Sequence, residues 1–268
     1  MIKGIPYRWD SHQVSVTTFA VLLLPLTTAA ILRGPTMTLP IGVALGLGLM
    51  WSFLFSALRK SVFHWHSLIS ALIFVLLLPA ATPVWQFVIS LSFGLVFGDL
   101  IFGSRGRGFL NAAVVGLAFL LFSFPATPPD TALPQIAIAA ALSGLILLAL
   151  GLISWRVIAG FGICFAALVP ISPVSANWQD LQNATVLLGL VFLICDPVAG
   201  ASTHLGRWLY GALAAALVLL LGQTGVGIGS LSSVVFGALL ASIFAPLLDQ
   251  IAIYDNVRRR MKRQSYEP

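Results

Sequence analysis

The sequence predicts an all-α, polytopic membrane protein of about ten transmembrane helices, arranged as two inverted five-helix repeats. Three observations predict it. The composition is 59% hydrophobic and only 8% charged, whereas a soluble surface needs about a quarter charged residues. The apolar residues fall into runs near the ~20 that a helix needs to cross ~30 Å of hydrocarbon. One of those runs recurs at a fixed distance along the chain.

Ten runs can be marked, roughly 16–32, 39–58, 67–81, 84–102, 109–125, 133–153, 157–171, 185–199, 208–221 and 230–248. The third, seventh and eighth are short, which predicts tilted or broken helices. The opening MIKGIPYRWDSHQVSV is mixed and polar, and no small-residue cleavage site follows the first run. That run therefore reads as a retained span and not as a signal peptide.

The basic residues set the orientation. With the amino terminus in the cytoplasm, inner loops receive Lys3, Arg8, Arg59, Lys60, Arg105, Arg107, Arg156 and Arg207, and the tail adds Arg258, Arg259, Arg260, Lys262 and Arg263. Only Arg33 falls outside. This one-sidedness across short loops predicts an inner (cytoplasmic) membrane protein with an even number of spans and both termini cytoplasmic. The net charge of +6 owes much to the tail. A basic cluster just after a last span meets anionic lipid headgroups, and that placement argues against nucleic acid. Cys164 and Cys195 lie within apolar runs and read as small buried filler, not as a disulfide.

The repeat pairs GFLNAAVVGLAFLLFSFP (108–125) with GSLSSVVFGALLASIFAP (229–246). Gly108 aligns with Gly229, Leu110 with Leu231, Val114 with Val235, Gly116 with Gly237 and Pro125 with Pro246. Asn111 and Ser232 also fall together. These are the fifth and tenth runs, so each half holds five spans, and an odd number per half forces the halves to be inverted. Sites in such folds lie near the pseudo-two-fold axis. The expected organisation is one membrane domain over 1–268, with repeats at about 15–125 and 133–249 and a basic cytoplasmic tail, 250–268. The third and eighth spans then correspond. Each ends at a proline-bearing joint, LLLPAATPVWQ around Pro79 and Pro83, and CDPVAGASTHLGRW around Pro197. Backbone broken in this way is tolerated where it lines a cavity or is buried in protein.

Asp196 is the most informative acid, because it ends an apolar run immediately before Pro197, with Gly200, His204 and Arg207 in the same joint. It reads either as a helix cap paired with Arg207 or as part of an ion or proton path. Asp99 and Asp249 end the fourth and tenth runs on the same inner side. Each has a plain explanation, pairing with Arg105 or Arg107 and with the basic tail respectively. Asn111 and Ser232 complete the candidates near the pseudo-axis. His64 and His66 flank Trp65 and read as an interfacial anchor, since neighbouring helix positions face different ways and HWH is no metal motif by itself. SRGRG (104–108) fits a tight cytoplasmic turn as well as a phosphate contact. No metal site is expected. The sequence has no four-cysteine set for an iron–sulfur cluster, no histidine spacing for haem pairs and no nucleotide-cradling P-loop.

Three motifs carry a resemblance over essentially the whole chain. FGDLIFGSRGRGFLNAAVVGLAFLLFSFP (97–125), CDPVAGASTHLGRWLYG (195–211) and the closing FAPLLDQ…VRRR resemble the NqrB/RnfD family. Its members are membrane subunits of the Na⁺-translocating NADH:quinone reductase and of the Rnf electron-transport complex. The resemblance implies a membrane subunit of a redox complex that moves ions and works with other redox subunits. In the family a flavin mononucleotide is esterified to a threonine in an S-G-A-T motif after the fifth span. Here that loop reads ATPPDTALPQ, and the family's Asn-Pro reads Asn111–Ala112. No covalent flavin is therefore expected on Thr127 or Thr131, while a non-covalent flavin or quinone between the halves stays open. A channel or transporter for an ion or small solute, and a structural anchor for a partner enzyme, are the rival readings of the same scaffold.

Overall fold

A computed structural model of the chain describes residues 11–60, 65–102, 108–125, 133–171, 178–223 and 227–264. These residues are helical and contain no strand. Helices α1 (Ser11–Arg33) and α2 (Thr38–Arg59) are joined by a 3₁₀ turn, Gly34–Met37, where Gly34 takes φ +68°. α3 is His66–Leu76, and α4, Val84–Leu95, runs on into a π-helical turn, Val96–Leu100. α5 (Ala112–Ser123), α6 (Pro134–Ala149), α7 (Trp155–Leu168) and the single-turn α8 (Trp178–Leu181) come next. α9, Ala184–Gly189, also continues into a π-helical turn, Leu190–Ile194, before α10 (His204–Gly222) and α11 (Leu231–Gln264).

Each of the ten apolar runs meets a helix, but they do not make ten even spans. Among the described residues there are nine continuous apolar stretches, because 12–59 runs on through the 3₁₀ turn. Three are long and apolar enough to cross hydrocarbon unaided, namely 12–59, 204–222 and 231–254. The others are shorter, α3 having 11 residues, or about 16 Å at 1.5 Å per residue.

Burial explains how so short a helix is tolerated. Every residue from Ser67 to Leu78 is buried, including Ser67, Ser70, Phe74 and Val75. A helix apolar on all sides is enclosed by other helices, and here α3 packs against α1, α2, α4 and α5. Protein, not lipid, covers its length, which is where short or broken helices survive in membranes. The stretch Leu190–Cys195 is enclosed in the same way. Outward-facing residues such as Ile31, Phe53, Leu58 and Phe122 are instead strongly exposed and apolar, as lipid-facing positions are.

Several helix pairings recur in the second half of the chain. α1 packs on α3 as α6 does on α9, and α2 on α4 as α7 does on α10. α3 meets α5 as α9 meets α11, and α4 meets α5 as α10 meets α11. Two contacts cross between the sets, α1 with α6 and α5 with α11. The α7–α10 contact is the closest. A Cβ on Gly160 would lie 2.6 Å from the Trp208 carbonyl oxygen, and one on Gly211 would collide with the Val157 carbonyl. The α2–α4 pair is held by a side chain, with Trp51 Nε1 donating to Ser92 Oγ at 3.0 Å.

Proline behaves differently at its two matched positions. α5 stops at Ser123, before Pro125, whereas α11 passes through Pro246 and reaches Gln264, taking most of the expected tail into helix. Pro125 is followed by Pro128 and Pro129, which cannot continue a helix. Pro246 is followed by LLDQIAIYDNV, which can.

Candidate functional site

The polar groups gather at one end of the bundle, and two π-helical turns place the acids there. Asp99 lies within the turn closed by the Ile101 N–H to the Val96 carbonyl (2.9 Å). Asp196 comes directly after the turn closed by the Cys195 N–H to the Leu190 carbonyl (2.9 Å). The extra residue in a π turn rotates the downstream residues relative to the preceding helix, and such turns favour functional positions. A close approach brings α4 to α5 at this level, since a Cβ on Gly98 would sit 2.6 Å from Ala112 Cα.

Asn111 joins the two halves of the chain. Its Oδ1 accepts from the Ala113 N–H (2.9 Å) and so caps α5. That bond fixes the amide orientation, leaving Nδ2 to donate to Asp196 Oδ2 (2.8 Å) and to the Phe192 carbonyl (3.3 Å). The other carboxylate oxygen of Asp196 accepts from the Val198 N–H (3.1 Å), and its own carbonyl accepts from the Gly200 N–H (3.1 Å). Arg207 is not the acid's described partner. Its Nε donates to the Ala201 carbonyl (3.3 Å), although both residues line a cavity of about 190 Å³ beside the α6–α7 turn.

Asp99 is buried and accepts from Ser67 Oγ (3.1 Å). Its expected partners Arg105 and Arg107 lie outside the described residues, as do His64 and the loop threonines Thr127 and Thr131. Nearby, Arg59 donates through Nη1 and Nη2 to the carbonyls of Leu100 and Ile101 (2.8 and 2.7 Å), closing the end of the π turn. Asp99, Asn111 and Asp196 line one small cavity together with His66. His66 thus turns inward, against the expectation of an interfacial anchor, and lines a second cavity that also holds Cys195 and Asp196. The sequence carried one overlooked signal. His66 directly precedes a run with no polar face, so its helix enters the core at once.

Asp249 has a structural task that sequence reasoning missed. Both carboxylate oxygens face the start of α10. Oδ2 accepts from Ser202 N and Oγ (2.8 and 2.9 Å), and Oδ1 accepts from Thr203 N and Oγ1 (2.9 and 2.6 Å). Thr203 Oγ1 in turn accepts from the Gly206 N–H (3.0 Å), completing the cap. The tail side chains expected to pair with it, Arg258 to Arg263, are not among the described side chains. His204 and Pro197 are exposed at the joint. Gly200 lies over the ring of the fully buried Tyr210. Ser232 sits in the first turn of α11, half-buried, and is not among the residues lining the cavities around Asp196.

The geometry defines a helical membrane protein with a half-buried carboxylate held at a helix break by an amide from the other half. A model of the NQR2, RnfD, RnfE family matches residues 5–130 and 128–258, and the chain belongs to that family. It is 27% identical to an Na(+)-translocating NADH-quinone reductase subunit of Pseudomonas aeruginosa (strain LESB58), over 81% of this chain and 67% of that one. The corresponding protein of Ectopseudomonas mendocina (strain ymp) is 28% identical over 87% of this chain and 71% of its own. That of Haemophilus influenzae (strain PittEE) is 27% identical over 80% and 66% respectively.

Proposed function

We propose that this chain is an integral membrane subunit of a multi-subunit redox complex, in which electron transfer is coupled to cation movement past the Asp196 joint. The observation that carries the reading is the Asn111–Asp196 hydrogen bond between the two halves, at a helix break inside an apolar bundle. Ionisable groups at such places mark ion paths. Kinship with subunits named as sodium-translocating NADH-quinone reductases supports the redox setting. The recurring helix pairs support two repeats of about 15–125 and 133–249; five apolar runs in each would make them inverted, and the one-sided basic residues favour cytoplasmic termini.

The family's covalent flavin does not fit this chain. The loop after α5 lacks the S-G-A-T motif, and Thr127 is followed by two prolines that remove amide donors. On a denaturing gel under ultraviolet light, this chain should show no fluorescent flavin band. A flavin or quinone, if used, is held without a covalent bond, and other chains supply the remaining redox centres.

Purification from native membranes tests the reading. Co-purifying chains with a visible absorbance that bleaches on reduction are expected. A chain that purifies alone, colourless, and conducts an ion in vesicles would instead be a channel or transporter.

A further inference from the structure

We infer that the cavity of about 190 Å³ beside the α6–α7 turn is a site for a zwitterionic phospholipid headgroup, its phosphate at Arg207 and Ser154 and its primary ammonium at Asp196. This goes beyond the redox reading above and does not rest on it. Neither His66 nor Asn111 lines this cavity, so a headgroup there need not break the Asn111–Asp196 bond. Three observations carry the inference.

The first is room and access. At ~30 Å³ per water the space equals about six waters, which suits a headgroup and leaves the acyl chains outside. Gly151 and Pro197 on its lining are exposed, so it is reached from the surface of the bundle.

The second is depth. Trp155, directly after Ser154, is exposed and meets Trp208 edge-on, with ring centres 5.5 Å apart. The Arg156 guanidinium lies 5.1 Å from the centre of the Trp155 ring. Tryptophans of this kind mark the level where hydrocarbon gives way to headgroups. A phosphate passes at that level.

The third is the set of polar groups on the walls. Among the described residues Arg207 bonds only through Nε, to the Ala201 carbonyl (3.3 Å), which leaves the rest of its five N–H donors for a ligand. Ser154 Oγ is buried and makes no hydrogen bond among the described residues, although Ser154 stands at the start of α7 where it could have capped the helix. Asp196 accepts from the Asn111 amide and the Val198 N–H. A carboxylate has about four acceptor sites, so these two bonds do not exhaust it. Basic pockets between membrane helices take anionic lipids, but a purely anionic headgroup would bring its charge against Asp196. A phosphate joined to a primary ammonium offers each wall its opposite.

The test is native mass spectrometry of the detergent-purified chain, offered equal amounts of phosphatidylethanolamine, phosphatidylglycerol and phosphatidylcholine with the same acyl chains. The ethanolamine lipid should be retained about tenfold over the others. Phosphatidylglycerol lacks the amine, and the quaternary amine of phosphatidylcholine has no N–H to donate. Arg207→Gln should cut that retention about tenfold, and Ser154→Ala about threefold. Asp196→Asn should turn the preference toward phosphatidylglycerol, because Arg207 then acts without an opposing charge. Loss of folding would not produce such a reversal. Arg156→Gln, at a residue that does not line the cavity, should leave the preference unchanged. Equal retention of the three lipids, or a preference unmoved by both Arg207→Gln and Ser154→Ala, overturns the site. Should Arg207→Gln fail to fold, Ser154→Ala and Asp196→Asn decide, and a preference unmoved by both overturns it as well. Soluble phosphoethanolamine bound in place of the lipid, with the same dependence on these residues, overturns the lipid assignment. Failure of the redox reading appears separately, as the absence of co-purifying chains.

Discussion

The two proline-bearing joints occupy matching places in the two halves, yet they are built from opposite materials. The joint between α3 and α4, Leu77–Pro83, contains no ionisable residue. Its backbone closes on itself, Leu78 N–H to the Val75 carbonyl (3.1 Å) and Thr82 N–H to the Pro79 carbonyl (3.1 Å). Its α4 cap is Pro83, with no side-chain bond, and the buried Thr82 hydroxyl has no hydrogen bond among the described residues. The joint between α9 and α10 borrows its stability from other elements instead. Asn111 comes from α5's start and Asp249 from α11. Between these two joints, the ionisable groups lie at only one of them. A polar network held from three elements can respond to charge, and a self-closed turn cannot.

Five substitutions break or sharpen this contrast. Asp249→Ala should be the most damaging, because it removes four hydrogen bonds to a carboxylate at the start of α10. Bonds to charged groups contribute ~1.5–3 kcal/mol each when buried. With part of this network exposed to water, a total loss of about 3 kcal/mol is expected, read as a lowered unfolding temperature in detergent. Asp196→Ala ranks second, at about 2 kcal/mol, because the buried Asn111 amide and the half-buried Val198 N–H lose their acceptor.

Gly211→Ala tests the other asymmetry, between the α7–α10 and α2–α4 pairs. Its Cβ would strike the Val157 backbone, which no side-chain rotation relieves, so separation of the helices should cost about 1–3 kcal/mol. Ser92→Ala in the α2–α4 pair removes one hydrogen bond and should cost about 1 kcal/mol in the same melting assay. Smallest of all, Thr82→Ala at the apolar joint should fall within about 0.5 kcal/mol of the native protein, since its hydroxyl has no bond to lose. A Thr82→Ala effect equal to that of Asp196→Ala would mean that the two joints are not different in kind.

Much of this is legible in the residues. Composition and run length predict the helical membrane class, and Asp196 before Pro197 marks the break. The alignment of Asn111 with Ser232 singles out the amide that reaches Asp196. What periodicity cannot show is which polar group meets which. Arg207 is eleven residues from Asp196 and looks like its partner, but the acid's described bonds run to Asn111, 85 residues away, and to Val198. Asp249 precedes a basic tail, yet it is turned toward Ser202 and Thr203. The π turns that aim Asp99 and Asp196 leave no mark in an unbroken apolar run, and they rotate the downstream chain by an amount that simple helical spacing does not contain. The inward turn of His66 is less hidden, since the run that follows it has no polar face, although adjacency to Trp65 points the other way.

The cap of α10 also has a place in time. Asp249 is synthesised 47 residues after the Ser202 it holds. While the chain emerges, the amides of Ser202 and Thr203 have only water and headgroups as partners, even where Asn111, made earlier, already meets Asp196. A chain cut before Asp249 lacks the carboxylate that caps α10. Such a product should insert its earlier helices yet be more sensitive to protease between residues 198 and 204 than the longer chain, so closure of this cap waits on the synthesis of α11.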